Sequence, residues 1–114
     1  MAIKKSSCES PNKVSCFELS GKVYHENVTE LENVLNKSIQ EGSRVIVLDC
    51  QELKMIDSSG LSVLIQVIKH LSQRDGSLKL CNLSEAVGKV IRLSNLEKFV
   101  DIHEDVESAL EEFS

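Results

Sequence analysis

The chain has 114 residues, 41% hydrophobic and 27% charged, and its 18 acidic against 13 basic side chains leave a formal net charge of −5. That is enough for one globular domain, residues 1–114, with its own core, and it excludes intrinsic disorder. The acidic balance without a Lys/Arg cluster argues against nucleic acid as a partner, and no apolar run approaches the roughly 20 residues of a membrane span or the apolar region of a signal peptide.

Four cysteines, Cys8, Cys16, Cys50 and Cys81, are widely spaced and form no C-x-x-C pair. Three fall within or beside predicted strands, where a free cysteine behaves as a small hydrophobe. They are expected to be reduced and structural, in a cytoplasmic protein.

In chain order, residues 2–8 and 14–20 read as two strands joined by the turn-forming Glu9-Ser10-Pro11-Asn12-Lys13. Ser20-Gly21 is expected to break the second, and Lys22 to Asn27 carries the chain to a helix. Val28, Leu31, Val34, Leu35 and Ile39 are one face of that helix, which Gly42 closes as a C′ residue. Val45-Ile46-Val47-Leu48 is a continuous apolar run, the mark of a strand covered on both faces. Asp49 to Lys54 leads into Met55-Ile56-Asp57-Ser58-Ser59-Gly60-Leu61. From there Leu61, Leu64, Ile65, Ile68 and Leu71 repeat at helical spacing, predicting a helix from about Ser58 to Arg74. Leu78-Lys79-Leu80-Cys81 is the next strand. Ser84 then caps a helix with Ala86, Val87, Val90 and Ile91 inward. Phe99 to Ile102 is a short last strand, and Val106, Ala109, Leu110 and Phe113 stripe a last helix, with Glu104, Asp105 and Glu107 at its start.

The order β-β-α-β-α-β-α-β-α predicts an α/β fold: a mixed, mostly parallel sheet of four to five strands with about four helices. In such sheets, sites gather at the carboxyl ends of strands. Gly21 to Asn27, Lys54 to Gly60 and Asn82 to Ser84 are expected to converge there. With Phe17, Phe99 and Phe113 read as core, no large apolar patch is expected outside, which favours a monomer.

Catalysis is poorly supported. A serine nucleophile needs an oriented base. His25 could reach the edge that holds Ser58, but Gly-x-Ser-x-Gly is absent; His70 reads as solvated and His103 as a loop residue. No phosphate-binding Gly-rich loop and no metal-ligand spacing occurs, so neither cofactor nor metal is expected. What remains is Asp57-Ser58-Ser59-Gly60 itself. Asp57 or Ser58 is a natural N-cap, and the first helical turn offers unpaired N–H groups and a positive dipole end that would hold a phosphate. Ser58 is therefore read as a residue acted upon, more exposed than Ser59, with Gly60 allowing a partner close to the backbone. Phosphorylation would add about −1.5 to −2 charges beside Asp57 and repel a docked partner while leaving the fold intact.

Val45-Ile46-Val47-Leu48-Asp49 followed by Ile56-Asp57-Ser58-Ser59-Gly60-Leu61 resembles the STAS domain of bacterial anti-sigma factor antagonists. Leu19-Ser20-Gly21-Lys22-Val23, Leu80-Cys81-Asn82-Leu83 and Val90 to Leu96 extend the resemblance over nearly the whole chain. It implies a single STAS domain and a non-enzymatic switch. The serine after the aspartate, here Ser58, would be phosphorylated by an anti-sigma factor that is itself a serine kinase. A serine phosphatase would restore binding, and the unphosphorylated form would capture the kinase and free a sigma factor. Asp57, Ser59 and Gly60 match the same loop and take a partner-contact role, together with Tyr24, His25 and Asn27 on the neighbouring turn. The chain departs from the pattern at Tyr24, where an acid is common on the partner-binding edge, and at Asn95, where a glycine is common; asparagine tolerates the left-handed backbone. Two other readings are a non-switching STAS subunit of a transporter or signalling complex, and a small nucleotide-binding protein.

Overall fold

The computed structural model describes residues 1–6 and 13–111. The expected turn at Glu9 to Asn12, Cys8 and Phe113 lie outside them. Five strands form one sheet in the order β1-β2-β3-β4-β5: β1 Ala2–Ser6, β2 Val14–Val23, β3 Val45–Ile56, β4 Ser77–Cys81 and β5 Asp101–His103. β1 is antiparallel to β2 and the other pairs are parallel, so the α/β class and the mixed sheet are as the pattern requires.

The helices are α1 Val28–Gln40, α2 Ser58–Ser72, α3 Glu85–Leu93 and α4 Val106–Leu110. The apolar faces of α1, α2 and α3 join Phe17, Leu19, Ile46, Leu48 and Leu80 in the main core. On the opposite face Val14, Cys16, Val47 and Cys81 pack with Ala109 of α4. The run Val45 to Leu48 thus feeds both faces, as an uninterrupted apolar strand must. α1 ends as its glycine dictates. Gly42 has φ 110, its N–H bonds the carbonyl of Ile39 and that of Ser43 bonds Ser38, a Schellman closure.

Several expectations need correcting. Gly21 does not end β2: it sits at φ 79, and register shifts on either side of it let the strand bend and continue to Val23. β3 likewise runs to Ile56 rather than stopping near Leu48. On α2 the buried positions are Val63, Leu64, Val67 and Leu71, while Ile65 is exposed, and the helix ends at Ser72. On α3 Ala86 is exposed and Gly88 is buried. Leu96–Lys98 forms a 3₁₀ turn entered through left-handed Asn95, φ 62. This delays the last strand to Asp101 and leaves Phe99 67% exposed. Phe99, Ile65 and Ile68 line a groove of about 390 Å³, which removes the ground on which a monomer is expected. His103 closes β5 rather than lying in a loop.

Cys50 and Cys81 are free and buried. Burial pushes both thiols up to about 12; the neighbouring Cys81 and Asp49 add to this at Cys50, and Asp49 and Asp105 at Cys81. They stay protonated and inert, as structural cysteines should. Cys16 is disulfide-bonded, which corrects the expectation that all four are reduced.

Candidate functional site: the Asp57–Gly60 turn

β2 and β3 run side by side past the end of β4. Cys81, the last residue of β4, pairs with Asp49, whereas β3 continues seven residues to Ile56, about 20 Å at the usual strand rise. The site is therefore built at the tip of a two-strand extension. Of the three segments expected to meet, two do. Asn82 instead bonds Asp49 through its Nδ2 at 2.9 Å, and its N–H bonds the Glu104 carbonyl, so Asn82 to Ser84 belongs to the lower edge.

At the tip, Asp57 holds everything together. It is the N-cap of α2 with an extended backbone, and its Oδ1 accepts from the N–H of Ser59 at 2.9 Å and of Gly60 at 3.2 Å. Its Oδ2 accepts from the N–H of His25 at 3.2 Å, and its own N–H donates to the carbonyl of Val23. One carboxylate therefore caps a helix and ties down the neighbouring turn. That turn has its own brace. Asn27 Oδ1 accepts from the N–H of Tyr24 at 3.0 Å, and Asn27 Nδ2 donates to the Lys22 carbonyl at 2.9 Å. The N–H groups of Asn27 and Val28 both donate to the Tyr24 carbonyl. The side chains of Tyr24 and His25 are exposed, and Asn27 is half-buried, spent on the turn.

Ser58 is the first residue of α2. Its side chain is exposed, that of Ser59 is half-buried, and no described residue hydrogen-bonds the Ser58 hydroxyl. No histidine bonds it. The expected phosphate cradle, however, is already filled: Asp57 takes the amides of Ser59 and Gly60. A phosphoryl group on Ser58 would stand out in solvent next to a carboxylate. Gly60 also differs from expectation. It is buried, and a Cβ there would come within 2.5 Å of Ile56 Cγ1 and 2.9 Å of Val23 Cγ1. The glycine lets the start of α2 press onto the two strand ends; it does not open the backbone to a partner.

One exposed residue of this edge was not singled out by the sequence pattern. Met55 is 42% exposed, one position before buried Ile56. Its only signal was an apolar residue standing beside another apolar residue at a strand end. Among the described residues no helix is long and apolar enough to cross a membrane, and no cluster of three His, Cys, Asp or Glu could hold a metal ion.

Comparison with known proteins bears on the family and the fold. Residues 6–109 match the family model of the STAS domain. The anti-sigma-B factor antagonist of Staphylococcus aureus is 28% identical over 90 residues, 79% of this chain and 83% of that one. BtrV of Bordetella bronchiseptica, a proposed anti-sigma factor antagonist, is 35% identical over 95 residues, 83% and 82% of the two chains. The anti-sigma factor antagonist SpoIIAA in its unphosphorylated form superimposes with a TM-score of 0.81 at 21% identity, covering 96% of this chain and 95% of its own. The phosphorylated form, from Bacillus, gives 0.76 at 20% identity, covering 99% and 100%. A sulfate transporter family protein of Wolinella succinogenes shares the fold at 0.78 and 19% identity, covering 92% and 88%. By sequence and fold, this chain belongs to the STAS-domain family of anti-sigma factor antagonists.

Proposed function

We propose that this chain is a cytoplasmic, non-enzymatic switch whose binding is set by phosphorylation of Ser58. In the unphosphorylated state it captures an anti-sigma factor that is also a serine kinase and frees a sigma factor. Phosphorylation by that kinase ends the capture, and a serine phosphatase restores it. The observation that carries the reading is the free, exposed hydroxyl of Ser58, set directly after a carboxylate whose own position is fixed by three amide hydrogen bonds. The added charge of about −1.5 to −2 would face Asp57 and solvent, with few protein donors left to neutralise it. A partner surface fitted to the neutral hydroxyl would meet that charge directly. Tyr24, His25 and Ser59 flank the hydroxyl and complete the contact surface. Asp57, Asn27 and Gly60 serve it by holding its shape.

The test is incubation of the chain with ATP and its kinase, followed by intact mass and peptide mapping. One phosphate on Ser58, with none on Ser58→Ala, is the expected outcome. Ser58→Asp should fail to retain the kinase in a pulldown that wild type passes. A phosphate mapped to Ser59, or equal retention of Ser58→Asp, would overturn the switch. The second result would favour a non-switching subunit, a role for which the shared fold with a transporter family protein is the ground.

A further inference from the structure

We infer that Tyr24 and Met55 are the apolar anchors of this edge, and that the kinase partner receives them in an apolar pocket beside its active site. The inference rests on the reading of Ser58 as phosphoacceptor and assigns what grips the partner, as distinct from what switches it.

The first ground is register. Leu53 is buried, and strict alternation would bury residue 55 as well. Instead the pairing steps from Gly21–Leu53 to Lys22–Met55, skipping Lys54, and then Val23–Ile56. The extra residue turns Ile56 into the core, 2% exposed, and Met55 out to solvent, 42% exposed. Irregularities of this kind re-aim side chains, often beside functional sites. Here one delivers a large apolar side chain to the surface three residues before Ser58. On the partner strand, Val23 is fully buried, while Tyr24 after it is 38% exposed. Most other large apolar side chains of the two strand ends are buried, so this exposed pair is local.

The second ground is preorganisation. The backbone that carries Tyr24 is fixed before any partner arrives: its N–H donates to Asn27 Oδ1, its carbonyl accepts from Asn27 and Val28, and the next N–H, of His25, donates to Asp57 Oδ2, so the turn itself needs no ordering on binding. The third is necessity. A kinase that delivers a phosphoryl group to the Ser58 hydroxyl must cover the surrounding surface. A standard interface takes about 800 Å² per partner, a patch about 16 Å in radius. Met55 and Tyr24 lie on the two strand ends that Asp57 joins, well inside such a patch. Tyrosine and methionine are also among the residue types enriched at interface cores, where a few anchors carry most of the binding. The charged neighbours Lys22, Lys54 and Glu26 are exposed and suit a polar rim.

Kinetics separate anchoring from switching. With the purified serine kinase of the source organism that modifies this chain, Tyr24→Ala and Met55→Ala should each raise KM for the chain about tenfold or more and change kcat little. Tyr24→Phe should stay within about twofold of wild type. So should Leu93→Ala, a truncation of the same size as Met55→Ala at a side chain 75% exposed at the far end of α3. Circular dichroism should be unchanged for all four, since each side chain is on the surface. If wild type is phosphorylated on Ser58 while both alanine variants keep KM within about twofold, the anchors are refuted and the switch stands. A fall in kcat alone would refute them too, because it would place the pair in phosphoryl transfer rather than binding. If wild type takes no phosphate on Ser58, the switch falls and the anchors with it.

Discussion

The starts of α2 and α3 are built from the same parts and end up with opposite properties. Each follows a strand, each has a cap with an extended backbone, and each has a glycine in its first turn. At α3 the cap is a serine, and its hydroxyl is consumed: Ser84 Oγ accepts from the N–H of Val87 at 3.1 Å. At α2 the cap is an aspartate, and the serine stands one place later, with nothing to bond. A hydroxyl at the cap is structural; a hydroxyl at the first helical position is available. The glycines diverge as well. Gly60 is jammed against Ile56 and Val23, whereas the nearest group to a Cβ at Gly88 is the flexible guanidinium of Arg92 at 3.6 Å.

The sharpest way to test that contrast is the pair Gly60→Ala and Gly88→Ala. The first forces a methyl into the ends of β2 and β3 and should lose about 1–3 kcal/mol, in the range of overpacked cores. The second meets no backbone and should gain about 0.5–1 kcal/mol from helix propensity. Urea unfolding of both would show opposite signs; a gain at Gly60 would break the packing account of the tip.

The caps come next. Asp57→Ala should cost about 2 kcal/mol, the upper end for an N-cap, because the bond to His25 goes with the cap. Ser84→Ala should cost about 1 kcal/mol. Hydrogen exchange adds a local readout: in Asp57→Ala the amides of His25, Ser59 and Gly60 should lose protection together. If only Ser59 and Gly60 responded, the two loops would not be coupled through this carboxylate.

A smaller effect is expected at the serines themselves. Ser58→Asp should leave stability within about 0.5 kcal/mol, as surface changes do, while Ser84→Asp should also be tolerated because aspartate caps as well as serine. Only the first should alter partner binding. The smallest effect extends the comparison to α4, whose cap Asp105 accepts from the N–H of Ser108 at 2.7 Å. Those bonds to Ser108 hold its carboxyl below the ordinary value of 3.8. A depressed folded-state value stabilises above the unfolded value and is lost as pH falls through the folded one. Asp105→Asn should therefore flatten the acid limb of a plot of Tm against pH below about 4.

Local chemistry determined a great deal by itself. Periodicity found α1 to α4 and the cores of the strands, Gly42 was legible as the stop of α1, Asp57 or Ser58 was legible as the cap of α2 and Ser84 as that of α3. The Asp57-Ser58-Ser59-Gly60 stretch was legible as the place to look. These features depend on residues within one or two turns of each other, so a linear reading reaches them. What only the tertiary structure decided is pairing across the sheet. β2 and β3 stay paired beyond the end of β4, which leaves Asn82 to Ser84 away from the tip, and the register shift after Gly21 turns Met55 outward. The bond from Asp57 to His25 spans thirty-two positions, and the reason for Gly60 lies on two other strands. Phe99 came out of the core because it closes the 3₁₀ turn Leu96–Lys98, and the last strand starts only at Asp101. Each of these depends on which strand lies beside which and in what register, and that is set by the packing of the whole sheet rather than by any local run of residues.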